Sequence, residues 1–112
     1  MGKGTLFLCA TPIGNLEDIT LRVMRILKEA DYIVAEDTRH TLKLLNHLDI
    51  SKPLISYHKY SDEQKEERIL SLLEAGKDIA LVSDAGMPGI SDPGEKLVRL
   101  AYERNIHVTI LP

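Results

Sequence analysis

The chain has 112 residues, the length of one compact domain, with 44% apolar and 28% charged residues. That balance belongs to an ordinary globular protein and excludes a disordered tail, a collagen-like repeat and a coiled coil. No apolar run nears the roughly 20 residues that cross a bilayer, and a net charge of −3 argues against a stand-alone basic nucleic-acid binder.

Thr5-Leu6-Phe7-Leu8-Cys9-Ala10 is a short apolar run ending at Thr11-Pro12 and reads as a buried strand. A helix follows over Leu21 to Ala30, with Thr20 as its N-cap and Val23, Ile26, Leu27 and Ala30 on one face. Tyr32-Ile33-Val34-Ala35 is a second strand, and a helix runs from about His40 to Leu48. Pro53-Leu54-Ile55-Ser56 is a third strand whose proline belongs at its start or on a sheet edge. Ser61-Asp62-Glu63-Gln64 fits a capping box for a helix with Ile69, Leu72 and Leu73 on its apolar face and Gly76 as its stop. Ile79-Ala80-Leu81-Val82 is a strand. Asp92-Pro93-Gly94-Glu95 opens a helix to about Glu103, and His107-Val108-Thr109-Ile110-Leu111 is a fifth strand.

Five strands alternating with four helices predict an α/β fold: an open, mostly parallel five-stranded sheet flanked by helices, with right-handed crossovers. An open α/β domain that stops at Leu111-Pro112, directly after a strand and with no helix to follow, reads as cut rather than finished, one domain of a longer protein. Met1-Gly2-Lys3-Gly4-Thr5 lacks the apolar region of a signal peptide. The lone Cys9 leaves no internal disulfide or multi-cysteine metal cluster and suits a reducing cytoplasm; its apolar neighbours make it a core residue rather than a nucleophile.

Ligands of open α/β sheets bind at the carboxyl ends of the strands. Polar and backbone-special residues concentrate there: Thr11-Pro12-Ile13-Gly14-Asn15, Glu36-Asp37-Thr38-Arg39-His40, Tyr57-His58-Lys59, and the segment from Ser83 to Gly94. The helix-to-strand connections are plain. Three glycines and two prolines between Gly86 and Gly94 specify a backbone that a ligand can approach closely, although a rigid turn has the same composition. Neither a P-loop nor a GxGxxG is present, and Asp84 and Asp92 form no metal-ligand pattern; Asp92 reads as a helix cap. Asp37 or Thr38 caps the next helix in the bland reading, with Arg39 and His40 solvated. His47 and His107 read as structural or exposed.

Together the blocks Ala10 to Thr20, Ala35 to Thr41 and Ser83 to Gly94 resemble those of the ribosomal RNA small subunit methyltransferase I family. These are bacterial enzymes that 2′-O-methylate a cytidine of 16S rRNA, within the tetrapyrrole (corrin/porphyrin) methylase superfamily. The third block, SDAGxPGISDPG, is the most specific, and the resemblance runs from about Leu6 to Pro112. It implies two α/β domains that bind S-adenosyl-L-methionine in the cleft between them, commonly in a homodimer. Residues 1–112 would be the N-terminal cofactor- and substrate-binding domain, inactive without its partner domain.

The resemblance puts the superfamily's glycine-rich first loop on Thr11, Pro12, Ile13 and Gly14, and its G-D-P loop on Gly86-Met87-Pro88. Met87 stands where the superfamily has aspartate and the subfamily usually threonine, which removes a side-chain hydroxyl and leaves backbone contacts from Gly86, Pro88, Gly89 and Ile90. Asp84 completes the cofactor set. Methyl transfer from a sulfonium is an in-line displacement that needs no metal, but a ribose 2′-OH needs a base. Asp37, His40 and His58 are the candidate bases on this edge, with His58 or Asp37 favoured; Glu36, Arg39 and His40 are the candidate RNA contacts, joined by Lys43, Lys52 and Lys59 in a local basic patch. The implied partner is 16S rRNA in the small ribosomal subunit, with neither membrane nor DNA. Two other readings stand: a methyltransferase of the superfamily acting on a tetrapyrrole or protein side chain, which the second and third blocks argue against, and a non-enzymatic α/β interaction domain.

Overall fold

The computed structural model describes residues 2–11, 16–58, 63–84 and 94–111. Five strands form one sheet: β1 (Thr5–Thr11), β2 (Tyr32–Ala35), β3 (Leu54–Ser56), β4 (Ile79–Asp84) and β5 (His107–Leu111). Four helices connect them: α1 (Leu21–Glu29), α2 (Thr38–His47), α3 (Glu63–Glu74) and α4 (Gly94–Glu103). The strand order is β3-β2-β4-β1-β5 and every pairing is parallel, so the expected mostly parallel sheet is parallel throughout.

Side-chain alternation along the central strands divides the core into two layers. Leu6, Leu8, Val34, Ile79 and Leu81 pack with Ile69, Leu70 and Leu73 of α3 and Leu97 and Ala101 of α4. Cys9, Ile33, Ala35, Ala80 and Val82 pack with Val23, Ile26 and Leu27 of α1 and Leu44 and Leu45 of α2. This is what right-handed crossovers dictate. From β1 the chain steps one way through α1 and α2 to β3, then back the other way through α3 and α4 to β5. The two helix pairs therefore cover opposite faces.

The helix starts and stops follow local chemistry. The Thr20 hydroxyl accepts the Val23 amide at 3.1 Å, as its N-cap role predicts. Helix α2 begins at Thr38, about two residues before the expected start, because Asp37 caps it. A 3-10 turn over Leu16–Asp18 has no counterpart among the expected elements. Three helices end in Schellman-type turns, with Asp49, Gly76 and Asn105 at positive φ. Behind them Ile50, Lys77 and Ile106 donate their amides to Leu45, Leu72 and Ala101.

Pro53 lies just before β3, an edge strand, and its carbonyl accepts the Ile33 amide at 2.9 Å. The expected caps at Ser61-Asp62 and Asp92-Pro93 lie outside the described residues. Among those described, no helix is long and apolar enough to cross a membrane.

Candidate functional site at the carboxyl edge of the sheet

All five strands point the same way, so every strand-to-helix exit falls on one edge. Strands β1 and β4 are neighbours and end level with each other: Ala10 is in register with Ser83 and Thr11 with Asp84. The chain leaves β1 for α1 on one face and β4 for α4 on the other. That divergence is a topological switch point, the place where open α/β sheets bind their ligands. Both strands run further than the sequence pattern suggests, since Thr11 and Ser83–Asp84 remain in the ladder.

The paired residues just below these strand ends are small, Ala10 in register with Ser83. Thr11 is fully buried and its hydroxyl donates to the Ser83 carbonyl at 3.1 Å, which ties the two strand ends together. Its side chain is thus spent on the scaffold, and what it offers a ligand is position and main chain. Of the other expected cofactor residues, Asp84 closes β4, while Pro12, Ile13, Gly14, Gly86, Met87, Pro88, Gly89 and Ile90 lie outside the described residues.

The remaining candidates share the same edge, one and two strands away. Glu36 and Asp37 follow β2, and His58 follows β3 by two residues. The Tyr57 amide donates to the Ala35 carbonyl at 2.9 Å, carrying the β2/β3 pairing one residue past Ser56. The backbone of His58 therefore leaves the sheet beside that of Glu36 and Asp37. The Asp37 carboxylate, through Oδ1, accepts the His40 amide at 3.1 Å, and Arg39 is exposed on the first turn of α2. At about 4.8 Å per strand, β2 lies roughly 10 Å and β3 roughly 14 Å from β1. The edge thus has two halves, a glycine- and proline-flanked half over β1 and β4 and a titratable half over β2 and β3.

One member of the expected basic patch does not join it. Lys52 precedes β3 and so lies at the opposite edge from Arg39, because a parallel strand begins where its predecessor's helix ends. Lys59 lies outside the described residues. His47 and His107 are exposed, and Cys9 is buried in the core, its thiol pushed up to about 12 by desolvation.

Sequence reasoning misses a buried polar chain beneath the titratable half. The Tyr57 hydroxyl donates to Glu66 Oε2 at 2.6 Å, and Lys96 Nζ lies 3.1 Å from Glu66 Oε1. Tyr57 and Glu66 are both buried, so a carboxylate in the core is satisfied from two sides. The chain joins the end of β3 to α3 and to the first turn of α4. Its signal is present: Glu66 stands three, four and seven residues before Ile69, Leu70 and Leu73, on the apolar stripe of its helix.

A family model described as Tetrapyrrole (Corrin/Porphyrin) Methylases matches residues 5–112. Curated relatives named "Ribosomal RNA small subunit methyltransferase I" include one from Halalkalibacterium halodurans, 59% identical over 98% of this chain and 38% of its own length. Another, from Mycoplasmopsis pulmonis, is 52% identical over 96% of this chain and 48% of its own. The chain thus spans less than half the length of these relatives. Among solved structures, the uroporphyrin-III-C-methyltransferase from Thermus thermophilus superposes with a TM-score of 0.74 at 21% identity, covering 97% of this chain and 47% of that one. A structure of that enzyme described as complexed with S-adenyl homocysteine gives 0.72 at 20% identity, covering 97% and 44%.

Proposed function

The chain belongs to the tetrapyrrole (corrin/porphyrin) methylase family, and on that premise we propose that it is the N-terminal domain of an S-adenosyl-L-methionine-dependent methyltransferase acting on the ribosomal RNA of the small subunit. The acceptor is the 2′-OH of a cytidine in 16S rRNA. One observation carries the choice of RNA over a tetrapyrrole: the relatives named for rRNA methylation are 48–59% identical over nearly the whole chain, whereas the uroporphyrin enzymes share only the fold.

The described residues fit such a cofactor. The switch point has small side chains at paired strand positions, Ala10 with Ser83, and a buried threonine that adds no bulk. The strand ends and the loops that follow would hold the cofactor, which when bound supplies an activated methyl group on sulfur. The protein's part is then alignment and proton management. Thr11 holds β1 and β4 level. In this reading the acceptor ribose lies over β2 and β3, with Arg39 and His40 against RNA phosphate and Glu36 beside them.

His58 or Asp37 takes the 2′-OH proton. Asp37 Oδ1 is committed to the α2 cap, which leaves Oδ2 for that task. His58 would use a ring nitrogen, and imidazole is the side chain suited to proton transfer near neutral pH. Asparagine at Asp37 keeps the cap and loses the base, so it separates the two roles.

The test is methylation of small ribosomal subunits by the full-length enzyme carrying Asp37→Asn or His58→Ala, with labelled cofactor and mapping of the modified sugar. The variant lacking the base is expected to lose about 10²–10⁴-fold in kcat with its fold intact. Normal turnover by both variants removes the base assignment. Label on a nucleobase, or on a tetrapyrrole instead of RNA, removes the proposed substrate.

A further inference from the structure

The net charge of −3 conceals a division between the two faces of the sheet. Helices α1 and α2 carry Arg22, Arg25, Lys28, Arg39 and Lys43 against a single acid, Glu29. Helix α3 on the other face carries Lys65 and Arg68 against Glu63, Glu66, Glu67 and Glu74, and α4 balances Lys96 and Arg99 against Glu95 and Glu103.

The cations of α1 and α2 are also arranged. Both helices follow strands that point the same way and pack into one core layer, so they run parallel on the same face of the sheet. On α1 the buried stripe is Val23, Ile26 and Leu27. The opposite stripe, at helical spacing, is Leu21, Arg25 and Lys28, all exposed. On α2 the buried stripe is Thr41, Leu44 and Leu45, and the outward stripe is Arg39, Leu42, Lys43 and Asn46, again all exposed.

Each stripe starts at the carboxyl edge of the sheet and descends about 10 Å along its helix. None of the five cations has an ion-pair partner among the described residues, whereas Arg104, between α3 and α4, is held by Glu67 and Glu74. Cations left unpaired by their neighbours in two parallel rows keep their full attraction for a polyanion, and neutralising phosphates dominates RNA affinity.

We propose that the outer face of α1 and α2 is a docking surface for the phosphodiester backbone of the RNA substrate. The strand is led from this face over Arg39 onto the carboxyl edge. The inference rests on the rRNA reading above and adds to it a path for the substrate outside the site. Leu21 and Leu42, at 81% and 52% exposure, flank the cations and would meet sugar or base faces rather than phosphate.

The test measures binding of the full-length enzyme to deproteinised 16S rRNA and to intact small subunits across a salt series. The variants are a triple reversal, Arg25→Glu with Lys28→Glu and Lys43→Glu, and a control reversal on the other face, Arg68→Glu with Arg99→Glu. The triple reversal is expected to lose at least about tenfold in affinity for both RNA forms and to lower the salt slope by roughly 2–3, near one unit for each phosphate that is no longer neutralised. Cofactor affinity by calorimetry is expected to stay unchanged, and so is RNA binding by the control.

Wild-type binding by the triple reversal overturns the docking face and leaves the rRNA reading standing. Loss on small subunits but not on bare RNA means the face meets a ribosomal protein, and a changed oligomeric mass with unchanged RNA binding means it meets a second copy of the chain; both overturn the proposal. Failure of the wild-type protein to bind either RNA form defeats the rRNA reading and this inference with it. Should the reversal not fold, Arg25→Gln with Lys43→Gln carries the same test with an expected loss of a few-fold.

Discussion

At the edge where helices run back into strands, the backbone is fixed by short-range, self-contained bonds. At the edge where strands run out into helices, polar side chains stand exposed above the core. On the first edge Thr5 and Asp78 are tied by an amide-to-carboxylate bond of 2.8 Å, and the Asp78 amide in turn donates to Asp31 at 2.9 Å. Gly4 donates to the Leu73 carbonyl at 2.7 Å. Each of these partners lies within the fold. On the second edge Glu36, Asp37 and Arg39 are exposed, and of these three Asp37 alone has a structural task, as a cap. The contrast separates what makes this domain stable from the edge proposed to bind its ligands. Substitutions at the first edge should change melting and leave binding per folded molecule alone.

Gly4 gives the largest effect of that kind. A Cβ there would sit 1.8 Å from the Lys77 carbonyl oxygen, a backbone atom that cannot swing away. Gly4→Ala must displace either the N-terminal arm or the turn after α3, and should cost about 3 kcal/mol, or roughly 10 °C or more in melting temperature for a domain of this size. A melt indistinguishable from wild type would show that the arm is not part of the closed edge.

The next effect sharpens the boundary, because it comes from beneath the carboxyl edge. Tyr57→Phe removes a hydroxyl bonded to a buried carboxylate and should cost about 2 kcal/mol, the loss of a charge-assisted bond. Its second consequence is local. With Tyr57 loosened, the end of β3 carrying His58 is less firmly held, so turnover should fall more than cofactor affinity. A variant that melts early yet turns over normally once folded would assign Tyr57 to the stability side alone.

Cys9 supplies a pH-dependent member of the set. Its folded thiol is pushed up to about 12 by burial, above an ordinary value of 9.0. The native state keeps its proton over that interval while the unfolded chain loses it. Cys9 therefore leaves stability intact below pH 9 and erodes it as pH rises toward 12, by at most about 1.4 kcal/mol per unit. Thiol reagents near neutral pH should modify the chain only as fast as it unfolds. Rapid labelling of the native protein would contradict the sealed core between β1 and the α1–α2 layer.

What is legible in the sequence follows the same division. The strands and helices can be read because apolar periodicity and caps are local: Thr20, Gly76 and the run from Ile79 act on their own neighbours. The carboxyl edge can be located because it follows from parallel connectivity alone. Strand order cannot, since it depends on which hydrophobic runs pair across the chain. Sequence proximity to the third strand likewise groups Lys52 with Arg39, although the fold puts them at opposite edges. The Glu66 chain escapes a local reading because its partners, Tyr57 and Lys96, lie nine and thirty residues away and only packing brings them together.

The smallest prediction probes the closed edge at its least comfortable points. Asp49 and Asn105 have φ of 57° and 59°, a left-handed conformation in which an L side chain crowds its own carbonyl, while Gly76 adopts 96° with no such cost. Glycine at Asp49 or Asn105 relieves that crowding, although its greater freedom in the unfolded chain takes back part of the gain. Asn tolerates this region best among ordinary residues, so Asn105→Gly should stabilise by about 0.3 kcal/mol. Asp49→Gly should give more, about 0.5–1 kcal/mol, because it also removes a negative charge from the C-terminal end of α2, where the helix dipole is already negative. The excess at Asp49 is electrostatic and should shrink between about 0.05 and about 0.5 M salt, while the Asn105 effect should not. Equal gains at both sites, independent of salt, would mean that backbone crowding alone limits these turns.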